Sequence, residues 1–161
     1  MKEILNFTKV LSFVFLVILA NSCNKDDGSA EKLRQEAEAL EAYLIDNNIT
    51  TEPQPSGLYY IETLAGTGNA PTYGQQVFVH YTGKLLNGSV FDSSEGKLPF
   101  DFPLGLGYVI AGWDEGIALM KEGGKATLII PSTLGYGSSG KGSIPPYSTL
   151  VFDVELVDIG M

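Results

Sequence analysis

The sequence has few of the residues on which common catalytic and metal sites are built. It contains one cysteine, Cys23, and one histidine, His80, among 161 residues. A single cysteine excludes an intramolecular disulfide. There is no HExxH pattern and no cluster of metal-ligating residues, and His80 has no thiol nucleophile to activate. We therefore expect no metal and no cofactor, and we interpret His80 as a structural residue of a strand.

Basic residues are also scarce. Ten Lys and Arg stand against 19 Asp and Glu, which gives a net charge of −9 and a pI near 4.4. The basic residues are scattered singly, whereas binding to phosphate backbones needs them clustered. This excludes nucleic acid as a partner. Glycine, in contrast, is abundant at 19 residues, which favours a turn-rich β protein.

A short apolar run, Val10–Ala20, precedes the cysteine. It has the length of a signal-peptide core and is too short for a typical transmembrane helix. The run and Cys23 resemble a bacterial lipoprotein signal, in which the cysteine becomes the lipidated first residue, although Ala20 stands where leucine is usual. The alternative is an ordinary secretory signal with an incidental cysteine. Asn24 rather than aspartate follows the cysteine, which favours the outer membrane of a Gram-negative bacterium, on its periplasmic or surface face.

The segment after the cysteine predicts a helix from Ser29 to Asn48, because it consists of strong helix formers. Leu33, Leu40 and Leu44 recur on one face, a stripe that usually packs against the parent domain and less often forms a dimer seam. We thus divide the chain into three parts. These are a signal peptide (residues 1–22), a lipidated tether with a helix and a Pro-containing linker (23–56) and a strand-rich domain (57–161).

Alternating or apolar runs predict strands throughout the third part. In the last strand, Thr149–Ile159, Leu150, Phe152, Val154 and Leu156 would face inward. A short amphipathic helix over Trp113–Met120 is the natural cover for one face of the sheet, with the other face wet. The fold class is therefore α+β. The remaining predicted strands are Leu58–Leu64, Val77–Tyr81, Ser89–Asp92 and Ala126–Ile130.

The glycine-rich stretch Gly135–Ser148 superficially matches two nucleotide-binding patterns. A P-loop needs Ser or Thr after its lysine, but Gly142 follows Lys141. Both patterns also need a helix directly after the glycines, and Pro145-Pro146 opposes one there. The stretch is better interpreted as an exposed, mobile flap.

Five motifs follow one another in the third part of the chain. They are VHYTGKLLNGSVFDSS (Val79–Ser94), LPFDFPLG (Leu98–Gly105), VIAGWDEGI (Val109–Ile117), LGYG (Leu134–Gly137) and IPPYSTLVFDVEL (Ile144–Leu156). In this order they resemble the FKBP-type peptidyl-prolyl cis/trans isomerases, and the signal with Cys23 makes the resemblance one to a bacterial lipoprotein form. The resemblance covers residues 57–159 and implies a bent antiparallel sheet of about five strands wrapped around one short helix, with the active pocket between them.

The resemblance also implies the residues of the site. Trp113 would form the floor of the pocket, and the Ile110 N–H would bind a substrate carbonyl. Asp92 would orient the twisting carbonyl region of the substrate rather than act as a general base. Lys97 is a candidate partner for Asp92, and Lys141 a determinant of substrate preference. The implied catalytic residues are Tyr81, Phe91, Asp92, Trp113 and Tyr136, and the implied substrate-binding residues are Phe100, Val109, Ile110, Ile144 and Phe152.

The function implied is rotation about X-Pro bonds that assists the folding of envelope or surface proteins. The partners implied are proline-containing polypeptides, macrolide inhibitors and, through Cys23, a membrane, with a homodimer through Leu33, Leu40 and Leu44 as a further expectation. The alternative is a binding module or holdase chaperone with the same fold and little isomerase activity.

Overall fold

The computed structural model of the chain describes residues 28–160. The predicted signal peptide and the predicted lipidation site Cys23 lie outside the described residues. Within residues 28–160, every helix is too short or too polar to cross a bilayer. The elements are α1 (Ser29–Asp46), β1 (Tyr59–Leu64), β2 (Gln76–Leu85), β3 (Val90–Ser93), β4 (Phe100–Pro103), α2 (Ala111–Ala118), β5 (Lys125–Ile130), a 3₁₀ turn (Ser132–Leu134) and β6 (Leu150–Ile159).

The strands form one antiparallel sheet in the order β1-β5-β6-β2-β3, and β4 also pairs with β2. The α+β fold class is confirmed, with six strands rather than about five. The additional strand, β4, is only four residues long, too short to show an alternation pattern in the sequence. β3 and β4 follow one another along the same edge of β2, opposite the β6 edge. This places the aromatic side chains of both short strands beside β2.

A bulge bends the two central strands. Phe78 lies opposite Asp158 and Val79 opposite Leu156, so β6 carries one extra residue at this point. An extra residue on one strand increases the local twist and curves the pair. The curvature lets the sheet wrap around α2.

Helix α2 packs closely on β5 because two of its residues lack a side chain. A Cβ at Gly112 would lie 2.5 Å from a side-chain atom of Ile130, and one at Gly116 would lie 2.7 Å from Leu128. Trp113 and Ile117 of the same helix are buried, as expected. The inward positions of β6 are also confirmed: Leu150, Phe152, Val154 and Leu156 are at most 4% exposed.

The outer face of the sheet is not uniformly wet, contrary to the sequence expectation. Ile129 and Val151 pair across β5 and β6, next to inward-facing neighbours, and are 0% and 4% exposed. Tyr43 of α1 and Ile49, just after the helix, line a hollow together with Val151. No residue of α1 is itself buried, so the helix lies on the domain surface and covers part of this face.

Candidate active site

One cavity of about 550 Å³ opens between the inner face of the sheet, the N-terminus of α2 and the glycine-rich flap. Nine of the ten predicted site residues line it. Tyr108, Gly135 and Lys141 also line the cavity and were not among the ten. The lining residues are Tyr81, Phe91, Asp92, Phe100, Tyr108, Val109, Ile110, Trp113, Gly135, Tyr136, Lys141 and Phe152.

Ile144 is the predicted site residue that does not line the cavity. It is 7% exposed and belongs to the hydrophobic core cluster. Its backbone exchanges two hydrogen bonds of 2.9 Å with Lys141, which closes a tight hairpin. The side chain thus serves as an apolar anchor for the flap, while Tyr136 and Lys141 face the cavity.

The floor of the cavity is Trp113, in the first turn of α2. It is 4% exposed and meets Tyr81 and Phe152 edge to face, with ring centroids 5.0 and 5.1 Å apart. Such T-shaped contacts favour well-ordered rings. Trp113 is also the only residue in 28–160 with a buried side-chain polar atom, its indole nitrogen, that lacks a hydrogen-bond partner.

A glycine on β2 makes room for the aromatic wall. Phe91 of β3 and Phe152 of β6 contact each other at 5.5 Å and 83°. A Cβ at Gly83, between them on β2, would lie 2.6 Å from Phe91 and 2.7 Å from Phe152. Glycine at this position therefore leaves room for both rings against the strand.

The polar edge of the cavity is a phenol–carboxylate pair. The Tyr81 hydroxyl donates a hydrogen bond of 2.7 Å to Oδ2 of Asp92, and the Ser93 N–H donates one of 2.8 Å to Oδ1. Burial raises the pKa of Tyr81 above its usual value, and the bond to Asp92 raises that pKa further. The phenol therefore stays protonated and holds the carboxylate in one orientation.

Lys97 is not the partner of Asp92 that the sequence suggested. Its amine donates a hydrogen bond of 2.8 Å to the backbone carbonyl of Ser93. The short turn after β3 thus brings the Lys97 amine to a backbone carbonyl, while the Asp92 carboxylate accepts from Tyr81 and from the Ser93 N–H.

Asp114 fixes the loop that supplies the next part of the wall. Its two carboxylate oxygens accept hydrogen bonds of 2.9 and 3.0 Å from the N–H groups of Gly105 and Gly107. The loop leads directly to Tyr108, Val109 and Ile110. In the sequence, an acidic residue at this position is explained by the N-terminus of the helix alone, so nothing there indicates the tie to the loop.

The flap closes the cavity from the other side. Tyr136 lines it, and the Lys141 amine lies 5.2 Å from the centre of the Tyr136 ring, within cation–π range. Gly140 has φ 64°, and a Cβ there would lie 2.4 Å from the carbonyl oxygen of Ile144. The tip, residues 141–143, is exposed as expected.

A second hollow, of about 520 Å³, lies on the outer face of the sheet. Its walls are mainly polar and include Thr127, Asp153 and the ion pair between Lys125 and Glu155. His80 also faces it and lies 3.1 Å from the Ser94 hydroxyl. Tyr81 is the one Phe, Tyr or Trp residue in its lining, so this hollow lacks the several aromatic walls of the first cavity. Residues 28–160 contain no group of three or more His, Cys, Asp or Glu placed to hold a metal ion.

The comparisons with known proteins agree on one family. The family model described as FKBP-type peptidyl-prolyl cis-trans isomerase matches residues 68–157, more than half of the chain. The "FK506-binding protein" of Neisseria meningitidis serogroup B is 50% identical over 105 residues, which cover 64% of this chain and 96% of that protein. The "Probable FKBP-type peptidyl-prolyl cis-trans isomerase" of Haemophilus influenzae is 42% identical over 153 residues, 94% of this chain and 62% of that one.

Among solved structures, FkpA from Escherichia coli matches with a TM-score of 0.71 at 40% identity. The match covers 83% of this chain and 62% of FkpA. The chain therefore spans less than two thirds of the Haemophilus and Escherichia relatives. At this identity and coverage the likeness extends to sequence as well as fold. The chain belongs to the FKBP-type peptidyl-prolyl cis-trans isomerases, a family of enzymes.

Proposed function

We propose that this protein catalyses rotation about X-Pro bonds of polypeptides bound in the aromatic cavity. The observation that carries the proposal is the combination of a nearly buried Trp113 floor, aromatic walls and one polar pair, Tyr81 and Asp92, at the edge. A proline ring is apolar and compact, and it suits such a lining. A cavity of about 550 Å³ has room for the ring and its preceding residue.

The chemistry needs no nucleophile. Amide resonance gives the bond a rotation barrier of about 18–20 kcal/mol, and uncatalysed exchange at X-Pro takes tens to hundreds of seconds. In the twisted transition state this resonance is lost, so the carbonyl is less dipolar than in the planar amide. An aromatic cavity that excludes water disfavours the planar amide relative to the twisted one, and this difference accelerates rotation.

The remaining residues would orient the substrate. Ile110 is the N-cap of α2, and its carbonyl accepts a hydrogen bond of 2.9 Å from the Trp113 N–H. With its position fixed in this way, its own N–H would bind a substrate carbonyl. Asp92 and the Tyr136 hydroxyl would orient the twisting carbonyl region, and Tyr81 would hold Asp92. No proton needs to move, so Asp92 does not act as a base.

A protease-coupled assay on a proline tetrapeptide tests the proposal. Phe91→Ala opens the wall, and we expect kcat/KM to fall about tenfold or more. Val90→Ala is the matched control, because Val90 is the adjacent residue and is 57% exposed. Equal activity of parent and Phe91→Ala would contradict the assignment of the site.

Exposed apolar side chains at and near the cavity favour a second function, the binding of unfolded polypeptides. Phe100 and Tyr108 line the cavity and are 43% and 73% exposed, and Leu98 and Leu106, two residues from them in the sequence, are 86% and 46% exposed. Exposed apolar clusters of this kind mark interaction surfaces. A parent protein that suppresses aggregation of an unfolded client but leaves the tetrapeptide at its uncatalysed rate would favour this holdase function.

The cellular setting is a proposal from the sequence. The Val10–Ala20 run and Cys23 support a lipid anchor at the outer membrane and a role in folding envelope or surface proteins, where slow prolyl isomerisation limits folding. Labelling with palmitate should appear in the parent and disappear in Cys23→Ser. Label in both, or in neither, would refute anchoring through Cys23.

Two binding proposals remain. The aromatic cavity is the expected site for macrolide inhibitors, and binding should quench Trp113 fluorescence in the parent but not in Asp92→Leu. Leu33 of α1 is 42% exposed, and Leu40 and Leu44 of the same stripe would complete a dimer seam. Sedimentation of the parent as a dimer and of Leu33→Lys as a monomer would support that seam, and a monomeric parent would refute it.

A further inference from the structure

One carboxylate on α1 reaches two segments that are far apart in the sequence. Oε1 of Glu36 accepts hydrogen bonds from the Ser132 N–H at 2.6 Å and from the Thr149 hydroxyl at 2.8 Å. Oε2 accepts one from the Ser132 hydroxyl at 2.6 Å. These partners are 96 and 113 residues away along the chain. A helix that buries none of its residues thus makes three directed contacts through one side chain.

The two partners lie at the two ends of the flap. Ser132 begins the turn that follows β5, and Thr149 directly precedes β6. They are 1% and 3% exposed. The segment between them supplies Tyr136 and Lys141 to the cavity. Glu36 therefore joins the two roots of the flap, Ser132, where the chain leaves β5, and Thr149, where it enters β6.

The connection continues from the first root to the cavity wall. The Ser132 carbonyl accepts hydrogen bonds of 2.9 Å from the Gly135 N–H and 2.8 Å from the Gly137 N–H, the two neighbours of Tyr136. The Gly137 carbonyl in turn accepts one from the Tyr147 N–H on the returning side. These two hydrogen bonds, from the residues on either side of Tyr136, thus fix Tyr136 relative to Ser132.

The physical chemistry makes a carboxylate well suited to this position. Its two oxygens can accept several bonds at once, and charge-assisted bonds are shorter and stronger than neutral ones. Nearly buried N–H and hydroxyl groups are costly to leave without an acceptor. Without Glu36, these donors would have to find water or other partners, and the roots would separate or shift.

We propose that Glu36 is a positioning residue for the isomerase, which holds the flap and Tyr136 in place from a helix outside the region that the family model matches. The family model matches only residues 68–157, so α1 is an addition to the matched region. The inference rests on the proposed role of the cavity in catalysis. It makes α1 a part of the active site's support rather than a spacer.

The test combines hydrogen exchange and kinetics in the full-length protein. In Glu36→Ala we expect flap amides of residues 133–148 to exchange about tenfold faster, with β2 and β6 amides unchanged. We expect kcat/KM for a proline tetrapeptide to fall about three- to tenfold. Glu41→Ala, an exposed glutamate of the same helix, should match the parent in both measurements.

Two further variants guard against a general loss of structure. Glu36→Gln keeps one acceptor for the Ser132 N–H and should lie between parent and Glu36→Ala. Thr149→Val preserves shape and removes one donor. Its effect on kcat/KM should be smaller in the Glu36→Ala background than in the parent, because the two changes remove the same contact.

Faster flap exchange with unchanged activity would overturn the positioning role, and so would lower activity with unchanged flap exchange. Faster exchange throughout the sheet would assign Glu36 to global stability instead and also overturn it. The exchange measurement does not depend on catalysis. If Phe91→Ala keeps full activity while flap amides still exchange faster in Glu36→Ala, the proposed catalytic site is wrong. The structural role of Glu36 in holding the two ends of the flap is then still supported.

Discussion

The hydroxyl of Tyr81 donates a hydrogen bond of 2.7 Å to the carboxylate of Asp92 at the edge of the aromatic cavity. The two residues lie on adjacent strands, β2 and β3, and the bond aligns the carboxylate beside the Trp113 floor. Burial raises the pKa of Tyr81, and the bond adds to that rise. The consequence is a tyrosine that resists ionisation.

The pH dependence follows from the sign of this shift. Folded Tyr81 holds its proton more tightly than the unfolded chain does, so its contribution to stability is complete below the usual tyrosine pKa of about 10. It is lost as the pH rises from there toward the raised pKa. In an alkaline titration of phenolate absorbance, parent and Tyr81→Phe should coincide through about pH 10. A parent curve with one additional step near pH 10 would contradict this prediction.

Gly83→Ala should destabilise the fold. The new methyl group would lie within 2.7 Å of Phe91 and Phe152, and overpacking of this kind costs about 1–3 kcal/mol. Urea unfolding measures the change in the free energy of unfolding. Ser89→Ala, at the exposed turn between β2 and β3, should change this free energy by less than about 0.5 kcal/mol. Equal stability of Gly83→Ala and the parent would show that the rings can move aside.

Asp114→Ala should loosen the loop before α2. It removes the acceptor for the Gly105 and Gly107 N–H groups, which should cost about 1–3 kcal/mol of stability. The loop carries Val109 and Ile110, so KM for a proline peptide should rise as well. Glu115→Ala is the control, because Glu115 binds Ser56 instead. Its KM should equal that of the parent, and an unchanged KM in Asp114→Ala would refute the role of the loop tie.

Lys141→Ala should change substrate preference. The amine lies at the cavity beside Tyr136, where a positive charge favours an acidic residue before the proline. Relative to a peptide with leucine at that position, kcat/KM for a peptide with glutamate should fall about threefold, as expected for an exposed charge pair. Lys121→Ala, at another exposed lysine, should leave the ratio unchanged. The same ratio in Lys141→Ala and the parent would remove Lys141 from the determinants of preference.

The sequence predicted those parts of the molecule that leave a repeating or ordered pattern. The alternation of Leu150, Phe152, Val154 and Leu156 indicated which face of β6 is buried. The five motifs identified ten site residues, and nine of these line one cavity. Their roles stay predictions until variants are measured. Ile144 lies in the core cluster instead, and the sequence could not show this because an apolar side chain in a flap can face either the ligand or the core.

Contacts between distant segments left no such pattern. A glutamate such as Glu36 in a charged helix is indistinguishable in sequence from a solvated one, and its partners lie about a hundred residues away. Asp114 had a sufficient local explanation at a helix N-terminus, which concealed its bonds to the loop. Strand β4 was too short to be recognised. These features depend on the folded arrangement and become visible only in three dimensions.

The most direct test of the central claim compares kcat/KM for a proline tetrapeptide in the parent, Asp92→Leu and Asp158→Leu. Asp92 lies at the cavity, whereas Asp158 is an exposed carboxylate on β6. We predict that Asp92→Leu lowers kcat/KM about tenfold or more while Asp158→Leu matches the parent. Full activity in a folded Asp92→Leu variant would contradict the account.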